Sequence, residues 1–409
     1  MNYEMIRFGD LYAIPSRNGV SKPSKIRGNG YKMINMGELF SNDRIYDIPM
    51  ELVPLKDNEK INSKVEVGDL LFARQSLVLE GAGKCSIVMD TSPLTVFESH
   101  LIRVRLIQDV NPMFYYYYFK SPLSPVKTIV SQCAQAGIRG SELQELKVIL
   151  PPKQIQDKIA NILSSYDDLI ENNKKQIKLL EEAAQRLYKE WFVDLRFPGY
   201  EDVKIIDGVP DGWKFKTLSE VFTYVRGKSY TSKELVENGG ILMVNLKNIR
   251  AFGGYNRNAE KRYIGKFKEE QKLKAGDLVM GVTDMTKERR LVGHVAIIPY
   301  YGETMTFSMD LIKLIPLSIK KSFLYSIMYY GGYSKKIAPL ANGVNVLHLK
   351  PEVMMNMMML IPNEEIINQY DVIFKNYQNR IEVLQKQCDF AMEALNRLLP
   401  KLMSGEVEV

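Results

Sequence analysis

The chain has three histidines, His100, His294 and His348, so they bear first on whether it carries out covalent chemistry. Acid–base or nucleophilic catalysis needs a base beside a nucleophile, with a third group to orient it. Laid over itself at the repeat described below, the chain aligns His100 with Asp310 and His294 with Lys84; neither recurs, and both read as structural or surface residues. Gly227-Lys228-Ser229 resembles the end of a phosphate loop, but position 222 is Phe where that motif needs Gly. Asn111-Pro112-Met113-Phe114 has half of an Asn-Pro-Pro-aromatic motif, without the second proline and without a glycine-rich cofactor loop before it. Asp167-Asp168 is a carboxylate pair inside a long helical pattern rather than in a cleft. Cys85, Cys133 and Cys388 are far apart and lack CxxC spacing, which points to a reducing compartment and no structural zinc. These residues form no catalytic constellation and no metal site.

The chain offers recognition chemistry instead. Its framework runs occur twice: Gly68-Asp69-Leu70 returns as Gly276-Asp277-Leu278, Met33-Ile34-Asn35-Met36 as Met243-Val244-Asn245-Leu246, and Phe97, Leu101 and Ile102 as Phe307, Leu311 and Ile312. Between these landmarks the copies diverge. Ala73-Arg74-Gln75-Ser76 stands against Gly281-Val282-Thr283-Asp284, and Leu77 to Ala82 against the basic stretch Met285 to Val292. A shared scaffold with unlike loops implies two related surfaces that read different targets. An asymmetric, two-part DNA site asks for this, with Arg, Lys, Gln and Asn on base edges and other basic groups on phosphates.

The elements that must position these loops are short β-type runs broken by Gly, Pro and Asn, such as Leu101 to Arg105 and Leu311 to Leu314. An aromatic helical stretch follows in each copy, Met113 to Phe119 and Lys321 to Tyr330, and reads as core. The pattern predicts an α+β domain with a twisted, largely antiparallel sheet, present twice.

Each copy closes on a long helical pattern, residues 152–192 and 363–403. Seam positions Ile155, Ile159, Ile162, Tyr166, Ile170, Asn173, Ile177, Leu180, Ala184, Leu187 and Trp191 are matched, 211 residues on, by Ile366, Tyr370, Ile373, Tyr377, Ile381, Leu384, Cys388, Ala391, Leu395, Leu398 and Leu402. Steps of four and three alternate, with one extra four-residue step at Tyr166 to Ile170 that recurs at Tyr377 to Ile381, the same stutter in both. Two helices sharing each irregularity are expected to lie against each other as rods of roughly 55 Å, antiparallel because the intervening residues are ample for a globular domain that starts and ends at the rod, with Asn173 setting register. Pro151-Pro152 and Pro362 open them, and Pro400 is expected to end the second. Leu163, Leu169, Leu179 and Phe192 fall outside the seam and are expected to leave apolar surface for other helices.

At 45% hydrophobic and 25% charged residues, the 409-residue composition is that of a soluble globular protein, long enough for two or three domains. Neither a signal peptide nor a membrane span is legible, and a cytoplasmic location is the default. The net charge of +7 sits in the globular parts, 1–150 and 198–361, and not in the helical parts, 151–197 and 362–409. Basic domains suit a polyanion, and helices without net positive charge suit protein partners.

The order of domain, helix, domain, helix resembles the specificity subunit of type I restriction-modification enzymes. The resemblance is carried by LPPKQIQDKIANILSSYDDLIENNKKQIKLLEEAAQRLYKEWF, by the Val209-Pro210-Asp211-Gly212-Trp213 opening of the second domain and by the Gly-Asp-Leu turn in each copy. It implies two homologous target recognition domains in tandem, each binding one half of a split double-stranded DNA site and each followed by a conserved spacer helix, the helices packing as an antiparallel coiled coil. It also implies two methyltransferase (modification) subunits, which bind S-adenosylmethionine and methylate adenine, and restriction subunits that use ATP and Mg; this chain takes no cofactor and catalyses nothing. A half-site spacing near one DNA turn, ~34 Å, is compatible with rods of that length. The first domain lacks the Pro-x-Gly-Trp opening, which leaves Tyr3 to Leu11 unplaced. Candidate DNA contacts are Arg17, Lys22, Lys25, Arg74, Gln75, Arg139 and Ser141 in the first domain, and Arg226, Lys228, Tyr230, Lys287, Arg289, Arg290, Asn342 and Asn345 in the second. On the residues alone two alternatives stay open. A coiled-coil scaffold would show no salt-dependent affinity for duplex DNA, and an enzyme would need a cofactor or metal site.

Overall fold

A computed structural model describes residues 3–91, 94–132, 136–257 and 259–409; Cys133 lies outside the described residues. The chain divides into two compact units, Met1–Asn172 with Gln387–Val409, and Asn173–Lys386. Each long helix, α1 (Lys153–Phe192) and α2 (Glu364–Ser404), contributes one half to each unit. Among the described residues no helix is long and apolar enough to cross a membrane.

In the first unit a five-stranded sheet runs in the order Tyr12–Asn18, Leu101–Leu106, Leu70–Ala73, Cys85–Val88, Arg44–Ile45. Its neighbours are antiparallel except for the last pair. The central strand shows why these residues form it. Gly68 takes φ +89°, the left-handed value that Gly tolerates, and the Asp69 carboxylate accepts the Glu66 N–H at 2.8 Å, closing the turn that launches Leu70. Side chains then alternate, with Leu70 and Phe72 entering one core and Leu71 and Ala73 another. A strand buried on both faces must read as a continuous apolar run. The second unit repeats the device: Gly276 lies at φ +78°, Asp277 accepts from the Lys274 N–H at 3.1 Å, and Leu278–Gly281 is buried throughout. Its sheet is Phe222–Arg226, Leu311–Pro316, Leu278–Gly281, Val295–Ile297, antiparallel at each pairing.

The largely antiparallel expectation meets an exception in both units. Tyr31–Ile34 pairs parallel with Thr95–Phe97, and Ile241–Val244 with Met305–Phe307. Long excursions separate these partners in sequence, so no hairpin turn announces them. Tyr3 to Leu11 also finds its place. Glu4–Arg7 pairs with Lys147–Leu150 as Lys214–Thr217 pairs with Met358–Ile361, so the first domain has the same opening strand without the tryptophan.

The residue after the first sheet strand repeats too. A Cβ on Gly19 would stand 1.8 Å from the Phe97 carbonyl oxygen, and one on Gly227 would stand 2.0 Å from that of Ser308. Backbone cannot yield as a side-chain tip can. Gly227→Ala is therefore expected to cost about 1–3 kcal/mol, read as a lower melting temperature; an unshifted melt would refute the close approach.

In the first unit Ile159, Ala160 and Leu163 pack with Leu395, Leu399, Leu402 and Met403, while Ile170 meets Cys388 and Ala391. Numbers rise on α1 as they fall on α2, so the halves are antiparallel. In the second unit Ala184, Tyr188 and Trp191 share a core with Ile366, Ile367, Tyr370 and Phe374. Of the expected seam, Ile159, Ile170, Ile366, Tyr370, Ile381, Leu384 and Leu395 are buried; Ile155, Ile162, Tyr166, Ile177, Leu180, Leu187, Ile373, Tyr377 and Leu398 are half-buried.

Two helix expectations need correction. α2 does not end at Pro400 but runs through it to Ser404, because Leu402 and Met403 are each 1% exposed in the first unit's core and hold the last turn in place. Leu163 and Phe192 do not leave free apolar surface. Leu163 is fully buried in the first unit's core, and the Phe192 ring lies 4.9 Å from that of Phe323 and 5.0 Å from that of Tyr370. Leu169 and Leu179 remain exposed.

Candidate nucleic-acid interface

Each α+β domain carries a polar rim at one end of its main sheet. In the first, Arg74 leaves the central strand with its N–H on the His100 carbonyl at 2.8 Å, and its own carbonyl accepts from Ile138 at 2.9 Å. Gln75–Ser76 then pairs with Ala136–Gly137, which brings in Arg139 and the exposed Ser141 at the start of helix Gly140–Glu145. Arg17 lies opposite Arg103 near the same sheet end and points a guanidinium N–H at the Asn62 carbonyl, 3.4 Å away. The fold thus gathers Arg17, Arg74, Gln75, Arg139 and Ser141. Lys22 and Lys25 belong to another loop, where Lys22 is held by Glu59 at 2.7 Å and Lys25 is exposed in the turn Ser24–Ile26.

The second unit builds the same rim with other residues. Val282 donates to the Asp310 carbonyl and accepts from Leu349, both at 2.8 Å, and Thr283–Asp284 pairs with Leu347–His348. Asn342 and His348 exchange backbone hydrogen bonds of 3.0 and 2.8 Å, which closes a hairpin with Asn345 exposed near its tip. The basic loop is tied down by Asp284, which is fully buried. Its carboxylate accepts from the Thr286 N–H and hydroxyl at 2.7 Å, the Leu291 N–H at 2.6 Å and the Val292 N–H at 3.2 Å. Burial pushes this carboxyl up, but those donors outweigh it and hold it below the usual range. Lys287 and Arg290 are left exposed, Arg290 beside Glu288 at 3.2 Å, and Arg289 is half-buried at φ +51°. Lys228 binds through its backbone to Phe307, and the Tyr230 hydroxyl accepts from Lys261 at 2.7 Å.

Arg226 reaches the rim already engaged. Glu352 accepts from Arg226 at 2.8 Å and from the Tyr224 hydroxyl at 2.7 Å, and its carboxyl is lowered to about 2 by the Tyr224 bond, its own backbone N–H and Arg226. Glu352→Gln should free Arg226 and remove a negative charge from the rim, so affinity for duplex DNA is expected to rise severalfold at low salt. Filter binding checks this, and an unchanged or weaker affinity would count against it.

Sequence reasoning misses two rim residues, though the repeat points to both. Ile138 and Leu349 make equivalent backbone bonds to Arg74 and Val282, so Lys350 stands where Arg139 does. Asn18 and Arg226 lie opposite Ile102 and Ile312, which makes Asn18 the counterpart of Arg226.

Asn111, Asp167 and Asp168 have structural duties. Asn111 caps helix Pro112–Lys120 through Met113 and Phe114 and donates to Asp157 at 2.7 Å; Asp167 accepts from the Tyr117 hydroxyl at 2.7 Å; Asp168 pairs with the buried Arg44 at 2.6 Å. His294 is buried against Phe252, and burial lowers its pKa. His100 is exposed beside Glu98 at 3.4 Å, and His348 is exposed. Among the described residues, no three His, Cys, Asp or Glu side chains are grouped as metal ligands.

Two like α+β domains that carry two unlike polar rims are the arrangement of a recognition protein. The family model for the type I restriction modification DNA specificity domain matches residues 1–182 and again 210–389, and the chain belongs to that family. It is 29% identical over 312 residues to the type I restriction enzyme MjaIX specificity subunit of Methanocaldococcus jannaschii, covering 72% of this chain and 69% of that one. It is 28% identical over 197 residues to the EcoKI specificity subunit of Escherichia coli K12, covering 43% and 41%. A crystal structure of the type I restriction-modification S subunit from M. genitalium shares the fold, with a TM-score of 0.61 and 15% identity over 98% of this chain and 96% of that one. The chain is a non-catalytic specificity subunit of a type I restriction-modification system, with two DNA recognition domains.

Proposed function

We propose that this chain supplies the DNA address for an adenine-methylating assembly. Each recognition domain reads one half of a bipartite, asymmetric duplex site, while α1 and α2 set the spacing and dock two methyltransferase subunits carrying S-adenosylmethionine. Restriction subunits using ATP and Mg join the same assembly. The observation that carries this reading is the pair of rims: the same backbone hydrogen bonds at Arg74 and Val282 lead into Arg74-Gln75-Ser76 in one unit and, in the other, into the buried Asp284, which holds the loop of the exposed Lys287 and Arg290. Identical scaffolds with unlike readers suit two unlike half-sites. Docking on the helices is supported by apolar side chains exposed along them, Leu169 and Leu179 on α1 and Val372 and Phe390 on α2.

The test is co-expression with the methyltransferase subunit of the same genome, followed by single-molecule mapping of methylated adenines. Methylation confined to one asymmetric, gapped motif is expected. A stable complex that leaves no new methylation would overturn the reading.

A further inference from the structure

Both rims expose an apolar side chain at the same register. Leu77 is 89% exposed and directly follows the strand Gln75–Ser76; Met285 is 78% exposed and directly follows Thr283–Asp284. The match is structural as well as sequential. Ala73 donates to the Lys84 carbonyl as Gly281 does to that of His294, and Gly83 donates back to Ala73 as Gly293 does to Gly281, at 2.8 Å in both units. One exposed apolar residue on a surface needs no explanation. Here the neighbouring residues differ between the copies while the apolar projection is kept, and each lies within a few residues of groups suited to DNA: Leu77 follows Arg74 and Gln75, and Met285 precedes Lys287 and Arg290.

We propose that Leu77 and Met285 are specificity-determining residues, each packing against a thymine 5-methyl group in the half-site its domain reads. In the major groove that methyl is the apolar feature of the base edges, and apolar side chains distinguish it from the hydrogen-bonding groups around it. The inference rests on the two-half-site reading and adds a base identity to it: each half-site contains a thymine, on one strand or the other, that is read through its methyl group.

The experiment uses the purified complex with the methyltransferase subunit and duplexes carrying the mapped motif, with each thymine replaced in turn by deoxyuridine, which removes the methyl alone. Burying a methyl-sized group is worth ~0.8 kcal/mol, so one replacement per half-site is expected to weaken binding roughly fourfold. Leu77→Ala should weaken binding to a similar degree and abolish the response to deoxyuridine in one half-site; Met285→Ala should do so in the other. Full sensitivity to deoxyuridine in the Ala variants, or no sensitive thymine with the wild type, overturns the proposal. So does a Leu77→Ala variant that loses affinity equally for all sequences, which would mark a wedge between bases, or one that fails to assemble, which would mark a protein contact. If wild-type complex still binds and methylates its motif in those cases, the two-half-site reading survives; if it binds no motif, both fail.

Discussion

Replacing Lys287, Arg289 and Arg290 together by Ala is expected to lower affinity for duplex DNA about 10- to 100-fold at physiological salt. The slope of log affinity against log salt should flatten by about one for each phosphate that the variant no longer neutralises. The loop itself should survive. Its shape comes from the Asp284 carboxylate and its bonds to Thr286, Leu291 and Val292, none of which involves the three basic side chains. The buried Arg289 Nε has no hydrogen-bond partner to lose, and Ala accepts the φ of +51° no worse than Arg. Fluorescence anisotropy across a salt series reads the effect, and gel filtration with the methyltransferase subunit serves as the control. Undiminished affinity with a normal salt slope would remove this loop from the interface.

The second large effect concerns stability. Tyr370→Ala in α2 is expected to destabilise the second unit by about 3–5 kcal/mol, the range for deleting a buried aromatic ring. The Tyr370 ring is fully buried, with centroids of Trp191, Phe192, Phe323 and Phe374 at 6.0, 5.0, 6.5 and 5.8 Å, and its hydroxyl bonds the buried Ser326 hydroxyl at 2.7 Å. Tyr370→Phe keeps the ring and removes one hydrogen bond, a cost of about 0.5–1.5 kcal/mol. Val372→Ala, two residues on and 61% exposed, should leave stability unchanged. Chemical denaturation followed through fluorescence of Trp191 and Trp213, both in this unit's core, reports these differences. Equal destabilisation by Tyr370→Ala and Val372→Ala would contradict the packing.

Much of this architecture is legible in the sequence because its signals are local. The Gly-Asp-Leu turns show there since a left-handed glycine and a carboxylate reaching back three residues act within one turn. The helices α1 and α2 are legible because apolar spacing near 3.6 needs no partner to be seen. The shared stutter anticipates that the helices pair, a globular domain that starts and ends at each rod anticipates the antiparallel sense, and within each unit the helix halves meet that way.

By itself, then, the sequence determined the duplication, the α+β class, the two rods and the divergence of the loops, since each is written in periodicity, turn chemistry or the comparison of the chain with itself. Tertiary structure alone decided the rest. It carried α2 through Pro400 by burying Leu402 and Met403, engaged Lys22 with Glu59 and Arg226 with Glu352, and placed Lys350 beside the rim. It also set Leu77 and Met285 at one register, side chains whose exposure composition cannot reveal. The physical reason is range: a turn or a helix stripe is specified by residues a few positions apart, whereas an ion pair such as Arg226 with Glu352 joins residues 126 positions apart and exists only once the sheet has closed.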